Sequence, residues 1–356
     1  GGFLFLISPY LLFYGRYTRN EAFVAFFGVL TIYAVLHYLQ HGKVSSLYLL
    51  TIATALQFVT KETAYIYTAL LLIFLAFLFM DRIARANWPD AQARRTFLLT
   101  LSSALIVLIL TLGLAAWNAI ANRSVTPATP ETDQAGVVVE TVGWISIAES
   151  AGVVVAVILA VIGIIVLLRS IGWKALKQER SFDMLLLTGT LILPLLTAFP
   201  VQFIGSLLGA NWNPLDYTRP GIIRTTILLL IMTAIAVLIG LNWKPKLWLT
   251  NFAIFYAIFT VFYTTFFTNG FGFFTGIVGS LGYWLSQQSV YRGEQPIYYY
   301  ALVQIPIYEY LAAFGTLLAL YFGVRHNRWT QLPSDSPANE FVDQDATSGE
   351  TSEVTT

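Results

Sequence analysis

Apolar runs long enough to cross a hydrocarbon core alternate, along nearly the whole chain, with short connections that carry most of the charge. A hydrocarbon core of about 30 Å takes about 20 apolar residues at the helical rise of about 1.5 Å per residue. Candidate runs lie near 1–13, 22–40, 47–60, 63–80, 97–119, 148–168, 184–201, 221–241, 247–267 and 301–322. The pattern predicts an all-α, polytopic helical membrane protein of about ten hydrophobic segments. With 57% hydrophobic and only 11% charged residues, the chain has too little charge to cover a soluble domain of 356 residues. We divide it into a transmembrane domain over 1–329 and an acidic tail over 330–356. The tail holds six acids and no Lys or Arg, and reads as disordered and cytoplasmic.

Two places need interpretation. The run over 47–80 is interrupted only by Lys61-Glu62. As one helix its 34 residues would be about 50 Å long, and a Lys near the bilayer centre costs about 2.5–3.5 kcal/mol. Two spans meeting at Lys61-Glu62 are cheaper. At the N-terminus, the run up to residue 13 is too short to span alone, and no basic region precedes it as in a signal peptide. The expectation is that the chain is N-terminally truncated and that earlier spans precede it.

Orientation follows from the cations. One alternate set of connections holds Lys43; Arg82, Arg85, Arg94 and Arg95; Arg169, Lys174, Lys177 and Arg180; Lys244 and Lys246; and Arg325 and Arg328, thirteen in all. The intervening set holds seven: Arg16, Arg19, Lys61, Arg123, Arg219, Arg224 and Arg292. Positive charge marks the cytoplasmic side, so the second set faces outside. Most of its cations sit beside acids: Arg19 near Glu21, Lys61 beside Glu62, Arg219 near Asp216 and Arg292 near Glu294. Cations kept on the outer face against the topogenic bias, each near an acid, could line one polar cavity.

Cysteine is absent, which excludes disulfides and thiolate chemistry, and the three histidines lie beside Lys or Arg at segment ends. No Gly-rich phosphate loop, metalloprotease signature or nucleic-acid patch occurs. Four outer motifs remain, each with a plainer alternative. Arg16, Arg19 and Glu21 suit a phosphate and a cation, or a simple helix entry with its acid in the first turn. Lys61-Glu62 could neutralise a phosphate, or be an interfacial turn whose Lys snorkels to water. Tyr283-Trp284, Gln287-Gln288 and Arg292-Gly293-Glu294 pair aromatic faces and amides, suited to sugar hydroxyls, with a phosphate-binding Arg. An aromatic belt explains the Tyr and Trp but not the amides or Glu294. Asp216 and Arg219 lie in a loop that is either a cover over a cavity or only a turn.

In order, Ser8-Pro9, Tyr14-Gly15-Arg16-Tyr17-Thr18-Arg19-Asn20-Glu21, Thr60-Lys61-Glu62-Thr63, the stretch from Gly282 to Tyr300 and Ile307-Tyr308-Glu309-Tyr310 resemble one family. It is the prokaryotic flippase-activity-associated family, in the protein mannosyltransferase-like part of the GT-C superfamily. The resemblance covers most of residues 8–322 and is most specific over 282–300. It implies a membrane glycosyltransferase of GT-C fold that takes a sugar from a polyprenyl-phosphate carrier at the outer face. On this resemblance Glu21 is the acceptor- or metal-binding acid, with Mg or Mn as the possible divalent metal. Arg16, Arg19, Lys61 and Arg292 would hold phosphate. Gln287, Gln288, Glu294, Tyr283 and Trp284 would hold sugar, with Glu62, Asp216 and Arg219 in support. The superfamily's main catalytic acid lies in the first outer loop, upstream of residue 1. The expected partners are a polyprenyl-phosphate-linked sugar and membrane lipid, with no nucleic acid, in the plasma (cytoplasmic) membrane. The alternatives are a lipid-linked sugar flippase and a flippase-associated subunit without transferase activity.

Overall fold

The structure, a computed structural model, describes residues 20–86, 88–121, 147–210, 212–287, 299, 303, 307 and 310–325. All regular structure among them is helical. In chain order the helices are α1 (Glu21–His41), α2 (Val44–Thr60), α3 (Ala64–Arg85), α4 (Ala91–Ala121), α5 (Ile147–Ser170), the short α6 (Trp173–Leu176), α7 (Arg180–Ile192), α8 (Ala198–Leu207), α9 (Arg219–Trp243), α10 (Pro245–Tyr263), the short α11 (Phe271–Phe274), α12 (Ser280–Gln287) and α13 (Tyr310–Arg325). Six helices are long and apolar enough to cross a membrane, and seven spans result if the bent α7–α8 pair counts as one. The chain is a polytopic helical membrane protein. It divides into one compact unit over 27–290 and another formed by 1–26 with 291–356. The first unit holds everything described below except Glu21 and α13. The tail at 330–356 and the partial run at 1–13 lie outside the described residues.

The outward surface explains why these helices need a bilayer. On α9, Ile223, Ile227, Leu230, Ile231 and Leu238 follow a helical stripe and are all exposed. α3, α4 and α5 likewise expose long Leu, Ile, Val and Phe side chains. In water such a surface would drive aggregation; in lipid it is ordinary. Where spans pack closely, small residues let the backbones approach. A Cβ on Gly152 of α5 would meet Thr111 of α4 at 2.2 Å, and one on Gly163 would meet Thr100 at 3.0 Å.

The helix ends follow local chemistry. Asp90 accepts from the amides of Gln92 and Ala93 and so caps α4. The Thr218 hydroxyl accepts from the Gly221 amide, with Pro220 in the first turn, and so starts α9. Gly42 turns the chain between α1 and α2 at φ +65°, and the Arg180 guanidinium lies where a Cβ would stand. Lys61 breaks the 47–80 run as expected: α2 ends at Thr60, Lys61 is extended, and α3 begins at Ala64.

Two boundaries differ from the expectation. The run near 184–201 is not one straight helix. Pro194 falls in a 3-10 turn over Leu193–Leu196, and α7 and α8 meet there at 58°. The run near 247–267 stops early, because Thr265, Phe266 and Phe267 take left-handed backbone angles of +50°, +54° and +67°. That turn is held by amide bonds from Phe266 to Val261 O and from Asn269 to Thr264 O, both 2.8 Å.

The main core joins α1, α2, the start of α3, α7, α10 and α12 around Leu47, Leu50, Met184, Trp248, Phe255 and Phe259. A second cluster of Phe79, Ile83, Phe97, Leu167 and Leu176 fastens the α4–α5 pair to the basic end of α3. Polar ties cross the main core. Thr51 donates to Asn251 Oδ1 at 2.6 Å, and the Trp248 indole donates to Thr190 at 2.9 Å.

At one end of this unit the core closes on Asp183. Its carboxylate accepts from the Tyr38 hydroxyl (2.6 Å), the Trp243 indole (2.9 Å) and the Lys244 ammonium (2.7 Å). The side chain is 4% exposed, so a carboxylate is affordable there only because three donors surround it. Arg180 binds the Leu39 and Gln40 carbonyls, and Lys177 binds the Asn242 carbonyl, at the same end.

Candidate functional site

The other end of the unit carries the Lys61-Glu62 break. Four elements converge on it. Tyr65, in the first turn of α3, lies edge-on to Phe58 of α2 and reaches Ser280 of α12 at 3.2 Å. Tyr263, the last residue of α10, donates its hydroxyl to the Phe58 carbonyl at 3.2 Å. A π-helical turn over Thr275–Gly279 leads into α12 and brings the chain back to this end.

The loop before α9 packs against α12. A Cβ on Gly282 would stand 3.0 Å from Pro214, and one on Gly279 would stand 2.6 Å from the Tyr217 hydroxyl. Within the loop, Asp216 Oδ1 accepts from the Thr218 amide and hydroxyl, and Oδ2 accepts from Arg224 at 2.8 Å. Arg224 also lies over the Trp212 ring, 5.1 Å from its centre. The Thr218 hydroxyl and amide, with Arg224 adding, hold the Asp216 carboxyl below the usual carboxylate range. Burial pushes the Tyr217 phenol up.

The expected site residues distribute as follows. Lys61 and Glu62 form the break, and Tyr283, Trp284 and Gln287 follow on α12, Tyr283 exposed and the other two half-buried. Asp216 joins them through the loop. Its ion partner, however, is Arg224 rather than Arg219, because α9 begins at Arg219 and Arg224 is the residue that reaches back to the carboxylate; Arg219 itself is exposed. Thus Lys61, Glu62, Asp216, Tyr283, Trp284 and Gln287 gather at one end of one unit. Glu21 stands in the first turn of α1 and belongs to the other unit. Arg16, Arg19, Gln288, Arg292 and Glu294 lie outside the described residues.

Sequence reasoning did not single out Gln57, Tyr65, Thr68, Tyr263 or Ser280, which lie in the same region, and named Thr63 only as the end of the Thr60–Thr63 motif. Gln57 carried a signal, as the one amide in the run at 47–60. The tyrosines and hydroxyls are too common at membrane interfaces to stand out.

Among the described residues no three His, Asp or Glu side chains come together that could hold a metal ion. Comparison of the chain with known families, curated proteins and solved structures finds no match in any of the three.

Proposed function

We propose that this chain is a membrane glycosyltransferase of the GT-C type, taking a sugar from a polyprenyl-phosphate carrier to an acceptor at the outer face of the plasma membrane. The observation that carries the reading is the gathering at one end of Lys61 and Glu62, the Asp216–Thr218–Arg224 loop, and the Tyr283, Trp284 and Gln287 face of α12. That is the end the cation count assigns to the outside. A cation for phosphate lies there with amide and aromatic groups suited to a sugar.

In this reading the acceptor oxygen attacks the anomeric carbon. The bond from that carbon to the phosphate oxygen breaks, and its electron pair leaves on the polyprenyl phosphate. Lys61 stabilises that departing charge, the role that the resemblance also assigns to Arg16, Arg19 and Arg292. A base takes the acceptor proton, and Glu21 helps hold the acceptor. Gln287, Tyr283 and Trp284, with Gln288 and Glu294, position the sugar, while Glu62, Asp216 and Arg219 support the cations.

A second reading, a lipid-linked sugar flippase, draws on a different observation. Buried polar groups continue through the core, from Gln57 past Thr51–Asn251 and Thr190–Trp248 to Asp183. Most of these are satisfied by one another, as structural ties across a membrane bundle are. Protein in detergent or liposomes, supplied with radiolabelled polyprenyl-phosphate sugars and a membrane acceptor extract, separates the two. Transfer of label from lipid to product, reduced at least tenfold by Lys61→Met, supports the transferase. Transbilayer movement of labelled lipid without turnover replaces it with the flippase, and neither activity leaves the scaffold reading.

A further inference from the structure

Among the described residues, three buried side-chain atoms near the Lys61-Glu62 break have no hydrogen-bond partner: Gln57 Nε2, Thr63 Oγ1 and Thr68 Oγ1. All three fall within residues 57–68, on the last turn of α2, the break and the second turn of α3. Gln57 and Thr68 are each 2% exposed. A buried donor left unmade costs about 1–3 kcal/mol, and more than nine-tenths of buried polar groups in folded proteins have a partner. At the other end of the unit the two remaining cases differ. Arg82 lacks a partner only at Nε, because its Nη1 is paired with Glu179, and Ser181 stands by itself.

Local chemistry does not account for the concentration. Thr31, Thr54, Thr60, Thr190 and Thr264 each return their hydroxyl to the carbonyl four residues back, the usual way a helix in an apolar setting satisfies threonine. Thr68 has the same option toward Ala64 and does not use it. Gln57 Nε2 lies beside α1 at Gly28, the one residue type with no side chain to cover it; a Cβ there would stand 3.6 Å away.

We infer that Gln57, Thr63 and Thr68 form an uncharged hydrogen-bonding subsite that receives the hydroxyls of the carrier-borne sugar. The inference rests on the glycosyl-carrier reading above. A carboxamide and two hydroxyls suit sugar hydroxyls, which both give and accept hydrogen bonds. The phosphate is left to Lys61, since an anion calls for charge.

The test measures binding by the detergent-purified protein of three probes: a polyprenyl-phosphoryl hexose, the bare polyprenyl phosphate and the free hexose. The wild type is compared with Gln57→Met and Thr68→Val, which keep volume and remove the polar atoms. Wild type should bind the glycosylated carrier more tightly than the bare one. Each variant should lose about five- to tenfold in affinity for the glycosylated carrier, the worth of one or two hydrogen bonds, and none for the bare carrier. Ligand-free melting should stay at or above the wild-type midpoint, because a partnerless polar group is gone; Gln57→Leu and Thr68→Ala repeat the comparison if either variant misfolds. Unchanged affinity for both carriers overturns the subsite and leaves the glycosyl-carrier reading standing. An equal loss for both carriers also overturns it, by assigning these groups to phosphate. If the wild type binds neither carrier, the glycosyl-carrier reading falls and the subsite falls with it.

Discussion

Replacing Asp183 by Ala should be among the most damaging single changes in the bundle, and the structure gives its size. The carboxylate accepts from Tyr38, Trp243 and Lys244 at 2.6, 2.9 and 2.7 Å. Tyr38 is 5% exposed and Trp243 2%, so neither donor can turn to water once the carboxylate is gone. Two buried donors left unmade at about 1–3 kcal/mol each give about 2–6 kcal/mol. Lys244 adds little, because its side chain is 37% exposed and rehydrates. A loss of about 4 kcal/mol corresponds to a fall of roughly 10 °C in melting midpoint for a protein of this size. Tyr38→Phe removes one donor and leaves two on the carboxylate, so it should cost only about 1 kcal/mol. Thermal melting in one detergent, followed by intrinsic fluorescence with a near-ultraviolet dichroism control for the altered surroundings of Trp243, measures both variants. A midpoint for Asp183→Ala within 2 °C of wild type, by roughly 2–4 °C per kcal/mol, would refute the argument that these donors are trapped.

Three further outcomes follow from single observations. A Cβ on Gly240 would stand 2.1 Å from the Trp248 indole, which is fully buried and bonded to Thr190, so Gly240→Ala should destabilise by about 1–3 kcal/mol in the same melting assay. Gly189→Ala, with nothing within 4 Å of its Cβ, should be neutral or slightly stabilising. The folded Asp216 carboxyl titrates below its unfolded value, so its contribution is complete above the ordinary carboxylate range near pH 4 and is lost as pH falls through the lowered folded value. Asp216→Asn should therefore melt lower than wild type near neutral pH and converge with it in strong acid, as read from midpoints between about pH 7 and 2.

The spans were legible because a bilayer imposes one simple demand, an apolar run of sufficient length, and the chain states it repeatedly. Lys61-Glu62 was legible for the same reason inverted, since a charge pair inside an apolar run costs too much to bury. The boundaries that failed did so where apolarity and helicity part company. Thr264 through Phe267 are as hydrophobic as the helix before them, but the backbone turns left-handed there and leaves Phe266 and Phe267 at the surface, where aromatic rings suit a membrane interface. Pro194 gave a warning of the bend between α7 and α8, but hydropathy passes over proline. Asp183 fell one residue outside the run at 184–201 and read as an ordinary span flank. Its three partners come from positions 38, 243 and 244, and no local pattern joins them.

The candidate site was legible by residue type and not by partner. Proximity in sequence suggested Arg219 for Asp216, yet the helix that begins at Arg219 brings Arg224 back to the carboxylate instead. Charged residues announce themselves in an apolar chain, whereas Gln57 and Thr68 become informative only when their surroundings are known. A buried threonine that satisfies itself on its own helix means little, and the same residue without a partner means a ligand or a cost. Of the five buried side-chain atoms without a partner among the described residues, three lie at the Lys61 end, and Arg82 Nε and Ser181 Oγ lie toward the Asp183 end. Around Asp183 three donors meet one carboxylate and hold four helical segments together. Around Lys61 donors are gathered and left unmet, an arrangement that stabilises nothing by itself and that a hydroxyl-rich guest would complete.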